Sequence, residues 1–140
     1  MSKLIFINLP VTDLARSKAF YERIGATNEP RFTDETAACM VFSDTIHVML
    51  LTHEKFTQFT PKPVAPRDTT EVLICISADD REAVDTMVDK AAASGGKADF
   101  REPQDYGFMY GRAFEDPDGH IWEVMWMDVA GFEAAQSAAA

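Results

Sequence analysis

Hydrophobic and polar positions along the chain alternate between the period of strands and the period of helices. The run from Lys3 to Leu9 is β-rich and predicts a strand. Thr12 and Asp13 then offer helix-capping oxygens, and apolar positions at helical spacing continue to Ile24, where Gly25 ends the helix. The chain therefore begins with a predicted strand and helix.

Further strands are predicted in the rest of the first half. A short stretch around Pro30 to Thr33 is strand-like, and the runs Ala37 to Phe42 and Thr45 to Leu51 are joined by a short polar step, which is typical of a hairpin. His53 to Phe59 predicts a short helix. The segment 61–69 contains three prolines and predicts a linker.

The same order of elements recurs after the linker. The pattern predicts strands at Glu71 to Ile76, Lys97 to Arg101, Phe108 to Glu115 and Ile121 to Met127, and a helix with an apolar stripe from Ala83 to Ala91. Two similar halves indicate duplication about a pseudo-twofold axis, because a solenoid needs three or more repeats. We therefore predict an α+β fold in which a mixed sheet curls around a hollow and the helices lie outside.

These boundaries predict one domain over residues 1–128, followed by an Ala-rich tail at 129–140. Within the domain, module one spans 1–60, the linker 61–69 and module two 70–128. Neither module is expected to be stable alone, because a chain of that length buries little apolar surface.

Composition narrows the possible functions. The 140 residues carry a formal net charge of −10, and so acidic a surface repels phosphate backbones and anionic lipid. No apolar run has the length of a membrane span, and the N-terminal sequence lacks a signal-peptide cleavage site. The two cysteines, Cys39 and Cys75, lie in apolar runs, which indicates buried thiols. We predict a cytoplasmic protein with no nucleic-acid or membrane partner.

Two motifs at the ends of the domain resemble one superfamily. Residues 8–21, Asn-Leu-Pro-Val-Thr-Asp-Leu-Ala-Arg-Ser-Lys-Ala-Phe-Tyr, and residues 111–124, which include Asp-Pro-Asp-Gly-His-Ile-Trp-Glu, resemble the opening and final hairpin of the vicinal oxygen chelate superfamily. It contains glyoxalase I, extradiol dioxygenases, and fosfomycin and bleomycin resistance proteins. The resemblance covers Lys3 to Asp128, and the chain looks most like short bacterial proteins labelled predicted lactoylglutathione lyases.

The resemblance implies two βαβββ modules that form a U-shaped half-barrel, usually in a homodimer. It also implies a divalent metal in the hollow, which would chelate two neighbouring oxygens of a small-molecule substrate and stabilise an oxyanion. Nickel, zinc and manganese are the candidates, and the absence of any metal is the alternative.

Four ligand positions follow from the resemblance, and this chain fills them unevenly. Glu123 matches the fourth position and Glu71 lies at or near the third, whereas Phe6 falls at the first and Leu50 near the second. Two carboxylates hold a divalent ion poorly without further ligands. Because the first histidine is absent, the two-histidine, one-carboxylate site of an extradiol dioxygenase is excluded.

Glu123 and Glu71 are therefore the candidate catalytic and metal-binding residues. If both face the hollow, their like charges would raise the pKa of one carboxyl and create a proton shuttle. The alternative for Glu123 is a structural pairing with Arg112 across the hairpin. His47 has the opposite strand parity to Leu50, so we expect it to face away from the hollow if Leu50 faces in.

Substrate contacts are expected from other side chains of the hollow. Arg112 suits a carboxylate clamp, while Tyr110 and Asn8 suit hydrogen bonds to a ligand; Phe6 and Leu50 would line the same space. The sequence thus leaves two functional hypotheses. The first is a glyoxalase I-like lyase or isomerase acting on a thiol–aldehyde adduct, and the alternative is a metal-free protein of the bleomycin-resistance type that sequesters a small molecule.

Overall fold

The computed structural model describes residues 2–139 and contains two modules, in each of which a helix packs against one face of a sheet. The first module comprises β1 (Ile5–Val11), α1 (Leu14–Arg23), β2 (Thr27–Glu29), a 3-10 helix (Pro30–Phe32), β3 (Ala37–Val41), β4 (Ile46–Thr52) and α2 (His53–Phe56). The second comprises β5 (Leu73–Ser77), α3 (Arg81–Ala93), β6 (Lys97–Ala98), β7 (Gln104–Asp105), β8 (Met109–Glu115) and β9 (Ile121–Met127), and α4 (Val129–Ala139) follows it in the Ala-rich tail.

The two sheets share one topology. Their strand orders are β1-β4-β3-β2 and β5-β9-β8-β6, with β7 also paired to β8. In each sheet the first strand runs parallel to the last, and the other pairs are antiparallel. The predicted α+β fold of two βαβββ modules is therefore confirmed. The sheets do not close into a barrel, and β1 and β5 are edge strands.

Two local predictions were wrong. The strand expected at Pro30 to Thr33 lies earlier, at Thr27–Glu29, because Pro30 begins a 3-10 turn that Glu29 caps by accepting from the backbone N–H of Arg31. The strand expected at Lys97 to Arg101 ends at Ala98, since Asp99 adopts a left-handed conformation with φ 55°.

Matching signals delimit the equivalent helices α1 and α3. Asp13 caps α1 by accepting from the N–H of Arg16, and Asp80 caps α3 by accepting from the N–H of Ala83. The C-terminal end of α1 is followed by Gly25 at φ 119°, a left-handed conformation that ends a helix at little cost for glycine. The equivalent caps indicate that the halves share local chemistry as well as element order.

A single hydrophobic core joins the modules on the helix-facing sides of the sheets. Its largest buried side chains come from both halves: Phe20 and Tyr21 of α1, Phe114 of β8 and Trp122 of β9. Phe20 packs against Phe114, and Tyr21 packs against Trp122, with ring centroids 6.0 Å and 5.9 Å apart. Within residues 2–139, no helix is long and apolar enough to cross a membrane.

Candidate functional site

Each sheet has a face that its helix leaves uncovered. In the first sheet Ile7 and Leu9 face the helix and pack in or against the core, so the alternate residues of β1 face the other way. The parallel register pairs Phe6 with His47 and Asn8 with Met49. We call these four residues the first open face. Phe6 is 50% exposed, and its ring stacks on that of His47 with centroids 4.5 Å apart.

The structure corrects the predicted assignment of β4. Leu50 pairs with Leu9 and is completely buried in the core, so it does not line the open face. His47, which we expected to face away from the hollow, lies on the open face beside Phe6. An error of one residue in the alignment caused both mistakes, because strand side chains alternate between faces. Met49, next to Leu50 in β4, lies on the open face instead.

The second open face is defined by the same rule. Ile76 of β5 and Val124 of β9 are buried in the core, which leaves Leu73, Cys75, Glu123 and Met125 on the opposite side. We call these four residues the second open face. Leu73 is 58% exposed. A pocket of about 110 Å³ opens here, between Cys75 and Glu123.

Glu123 forms an ion pair with a residue that the sequence did not single out. The Arg101 Nη2 atom donates to Glu123 Oε2 at 2.5 Å, and both side chains are about one-third exposed. Arg101 comes from the segment between β6 and β7. Strand periodicity cannot show how far a loop side chain reaches, so the sequence carried no clear signal for this pair. Cys39 is buried as predicted, but the prediction for Cys75 was wrong, because this residue is exposed on the second open face. Partial desolvation, and next the charge of Glu123, still raises the pKa of the Cys75 thiol, which stays protonated at neutral pH.

Arg112 and Tyr110, the predicted substrate contacts, instead face α3. Arg112 is bound by three aspartates, with distances of 2.9 Å to Asp85, 3.1 Å to Asp89 and 2.7 Å to Asp99. Hydrogen bonds to these carboxylates, that of Asp99 foremost, raise its pKa although burial opposes the shift. The Tyr110 hydroxyl donates to Asp85 at 2.6 Å. The pairing of Arg112 with Glu123 is therefore wrong, because Glu123 pairs with Arg101. The roles of Arg112 and Tyr110 in substrate binding stay predictions, and Arg112 also lines the pocket beside Glu123.

Glu71 lies near the junction between the modules. Its carboxylate contacts His120 Nδ1 at 2.5 Å, while His120 Nε2 contacts the Pro10 carbonyl oxygen at 2.7 Å. The Glu71 carboxylate and the Pro10 carbonyl are both hydrogen-bond acceptors. The imidazole ring therefore donates from both nitrogens, which makes it a cation. Burial alone would lower the pKa of His120, but Asp116, the Pro10 carbonyl and Glu71 raise it above its ordinary value.

The two candidate carboxylates line different pockets. Glu71 shares a pocket of about 240 Å³ with Asn8, Pro10 and Phe56. Glu123 lines the smaller pocket on the second open face. The chain thus brings Asn8 and Glu71 together and keeps Glu123 apart, so a proton shuttle between the two glutamates within one chain is not supported.

The turn at residues 116–120 fastens module two to α1. Tyr21 donates its hydroxyl hydrogen to Asp116 Oδ2 at 2.6 Å and accepts from Trp122 Nε1 at 3.0 Å. Asp118 accepts from the backbone N–H and the hydroxyl of Thr12. We call these residues, together with His120, the junction. Burial raises the pKa of Asp116, although the hydrogen bond from Tyr21 and the charge of His120 oppose the shift.

The donor set does not fit a divalent metal ion. Within the described part of the chain, no group of three or more His, Cys, Asp or Glu side chains could hold one. Module one carries Phe6 at the first implied position and Met49 on the open face near the second, with His47 as a single nitrogen donor beside them. The two positions in module two carry glutamates already paired with His120 and Arg101. An aromatic ring and a thioether supply no oxygen or nitrogen ligand.

Comparison with known proteins identifies the family. The sequence profile of the Glyoxalase/Bleomycin resistance protein/Dioxygenase superfamily matches residues 3–124. The chain belongs to that superfamily. None of the curated proteins matches the sequence.

Solved structures of other proteins show the same fold. A hypothetical protein from S. aureus is 26% identical, with a TM-score of 0.74, and the match covers 90% of this chain and 95% of that one. A family enzyme from Burkholderia phytofirmans PsJN is 19% identical, with a TM-score of 0.73 and coverage of 90% and 99%. The fosfomycin resistance protein FosX from Mesorhizobium loti is 17% identical, with a TM-score of 0.66 and coverage of 94% and 97%.

Proposed function

We propose that the protein binds a small molecule without a resident metal, as a sequestering member of the superfamily. One observation carries this proposal: both glutamates that the resemblance assigns to a metal are already neutralised by basic side chains of the same chain. Releasing either glutamate to a metal would leave its former partner, His120 or Arg101, with an uncompensated charge. The chain's cytoplasmic location is part of the proposal and is supported by its free cysteines.

A second copy of the chain completes the cleft in this proposal. Apolar side chains at the edge strands β1 and β5 are unusually exposed: 52% for Ile5, 50% for Phe6 and 58% for Leu73. We infer that these side chains belong to an interaction surface, because large exposed apolar patches mark interaction sites. His47 Nδ1 is buried without a hydrogen-bond partner among residues 2–139. A buried polar atom of this kind also indicates a surface that another molecule would complete. We propose a homodimer in which these faces line a shared cleft.

The ligand would then contact two unlike walls. The first open face offers the stacked rings of Phe6 and His47, and the second offers the polar pair Arg101 and Glu123. Small-molecule sites commonly combine an apolar lining with a few polar groups that fix orientation. A ligand with an apolar body and one polar end fits both walls.

A glyoxalase I-like lyase is the second candidate. It is favoured by the position of Glu123, in the middle of β9 on an uncovered face and beside a pocket. In that case Glu123 would have to leave Arg101 and accept a proton from the substrate. Such a role needs a carboxylate within reach of the transferred proton.

An isomerase assay separates the candidates. The protein is mixed with nickel, zinc or manganese and with the hemithioacetal of methylglyoxal and glutathione. We expect no turnover above that of the metal alone, and no difference between the wild type and Glu123→Gln. Turnover that Glu123→Gln abolishes would contradict the proposal and establish the lyase.

Thermal unfolding of the purified protein tests ligand binding directly. Without metal, we expect at least some members of a small-molecule set to raise the Tm of the wild type, because a ligand that binds only the folded state stabilises it. Phe6→Ala should weaken these shifts. Stabilisation that requires added metal would contradict the metal-free proposal.

A further inference from the structure

We infer that Arg101 is the built-in cation of the cleft, and that its free N–H groups bind an oxyanion of the ligand, such as a carboxylate, phosphonate or phosphate group. The Arg101 guanidinium would then supply the positive charge beside Glu123 where the resemblance implies a metal ion. The inference rests on the proposed metal-free function and names the chemistry that this function would recognise.

The segment that carries Arg101 is held at both ends. Before Arg101, the N–H of Asp99 donates to the Ala113 carbonyl at 2.9 Å, and the Asp99 carboxylate accepts from Arg112 Nε at 3.1 Å and Nη2 at 2.7 Å. These bonds accompany the left-handed backbone of Asp99. After Arg101, Gln104 pairs with Gly111 of β8. The segment is thus fastened to β8 on both sides of Arg101, which limits where the guanidinium can go.

Small residues leave a path for the Arg101 side chain. Both β6 and β7 pair with β8, and β9 lies on the far side of β8, so Arg101 has to cross β8 to reach Glu123. On the crossed face β8 presents Ala113 opposite Glu123 and Gly111 opposite Met125. A Cβ at Gly111 would make only ordinary contacts, the nearest at 3.5 Å to a backbone oxygen, so backbone packing does not require this glycine. Its missing side chain contributes open space to the pocket.

Most hydrogen-bonding capacity of Arg101 is unused. Its guanidinium has five N–H donors, and Glu123 Oε2 is its one acceptor among residues 2–139. Two other arginines of module two differ: Arg81 of α3 donates through two nitrogens to Asp105, and Arg112 of β8 is bound by three aspartates. Arg101 is also 34% exposed, compared with 11% for Arg112. It therefore retains donors that a ligand can reach.

The pocket matches the size of an oxyanion. Its volume is about 110 Å³, several times the ~30 Å³ of a water molecule in the liquid, which is enough for a headgroup but not for a whole drug-sized ligand. Gln104 adds an amide, while Met109 and Met125 add apolar walls. A planar guanidinium binds carboxylates and phosphates through two parallel N–H bonds. The headgroup would lie in this pocket and the body of the ligand over the apolar walls.

The test follows the Arg101 side chain by NMR. Labelled full-length protein without metal is titrated with methylphosphonate and, separately, with inorganic phosphate, and the arginine Nε–Hε signals are recorded. We expect a saturable shift of the Arg101 signal with both probes. Arg101→Gln should weaken binding about tenfold or more, the usual size of a charged hydrogen bond. Arg101→Lys should retain part of the affinity, and Glu123→Gln should strengthen it because a competing anion is removed.

Arg31 provides a matched control. It forms a similar arginine–glutamate pair with Glu29, at 2.5 Å, but in the other sheet. Arg31→Gln should leave anion binding unchanged. Equal loss in Arg31→Gln and Arg101→Gln would show general charge attraction and overturn the inference.

Two further outcomes separate this inference from the proposed function. No saturable shift in the metal-free wild type, or the same affinity in Arg101→Gln, would overturn the role of Arg101 and leave metal-free binding of another ligand class standing. Stoichiometric nickel or zinc binding that displaces Arg101 from Glu123 would overturn both.

Discussion

The junction and the open faces contain similar residue types, but they differ in whether the side chains have partners within the chain. In the junction, the buried polar groups have partners within the chain: Tyr21 with Asp116 and Trp122, and His120 with Glu71 and the Pro10 carbonyl. On the first open face Phe6 is half exposed, and beside the second open face Arg101 uses one of its five N–H donors. Satisfied polar groups stabilise the fold, whereas exposed rings and unused donors are available for a ligand or a second chain.

Glu71 and Glu123 illustrate this difference. The resemblance gives both the same expected role, yet Glu71 supports the junction through His120, while Glu123 lies on an open face beside a pocket. Substitutions at the junction should therefore alter stability, and substitutions on the faces should alter association or binding. Single substitutions test that division.

Tyr21→Phe should have the largest effect. It removes a hydroxyl that is completely buried and leaves Asp116 Oδ2 and Trp122 Nε1 without their partner. Because each unsatisfied buried group costs about 1–3 kcal/mol, we expect the free energy of unfolding to fall by about 3 kcal/mol. Urea denaturation measures the loss. Tyr106→Phe, at a site 59% exposed, is the control and should change little; equal losses would contradict the special role of the junction.

Phe6→Asp should separate the chains without unfolding them. It places a charge at the centre of the proposed interface, and burying that charge should cost about 2 kcal/mol, or a roughly 30-fold rise in the dissociation constant. Sedimentation equilibrium measures the change. Phe59→Asp is the control, because Phe59 is 66% exposed outside the open faces. A wild type that is monomeric at all concentrations would refute the shared cleft.

The junction should make stability depend on pH through His120. Its pKa is raised in the folded protein, so its stabilising contribution is complete below the ordinary pKa near 6.5 and is lost as pH rises through the folded value. We expect a loss of about 1 kcal/mol, since Glu71 is partly exposed and screened. Urea denaturation at several pH values measures it. His120→Gln should flatten this part of the profile; an unchanged profile would show that His120 is not the responsible group.

Glu123→Gln should have the smallest effect on stability. The pair with Arg101 is about one-third exposed on both sides, and such pairs contribute about 0.5 kcal/mol or less. The same substitution should strengthen phosphonate binding, which a purely structural role would not do. A loss of stability as large as that of Tyr21→Phe would place Glu123 with the junction residues.

Much of the fold was predictable because helix caps, glycines and alternating strands are local signals. The aspartates before α1 and α3 and the duplicated element order all appear in the sequence. The face of a strand was less predictable: a shift of one residue exchanged His47 and Leu50 between cleft and core. The pairing of Arg112 was not predictable, because the three aspartates that bind it come from α3 and the segment after β6.

The metal content of the protein tests directly whether the chain works without a resident metal ion. The purified protein is loaded with nickel, zinc or manganese, dialysed and examined by elemental analysis. Glu71 and Glu123 are already paired with His120 and Arg101. Phe6 and Met49 supply no oxygen or nitrogen ligand. We therefore expect far less than one ion per chain. One tightly held ion per chain that Glu123→Gln removes would contradict this expectation.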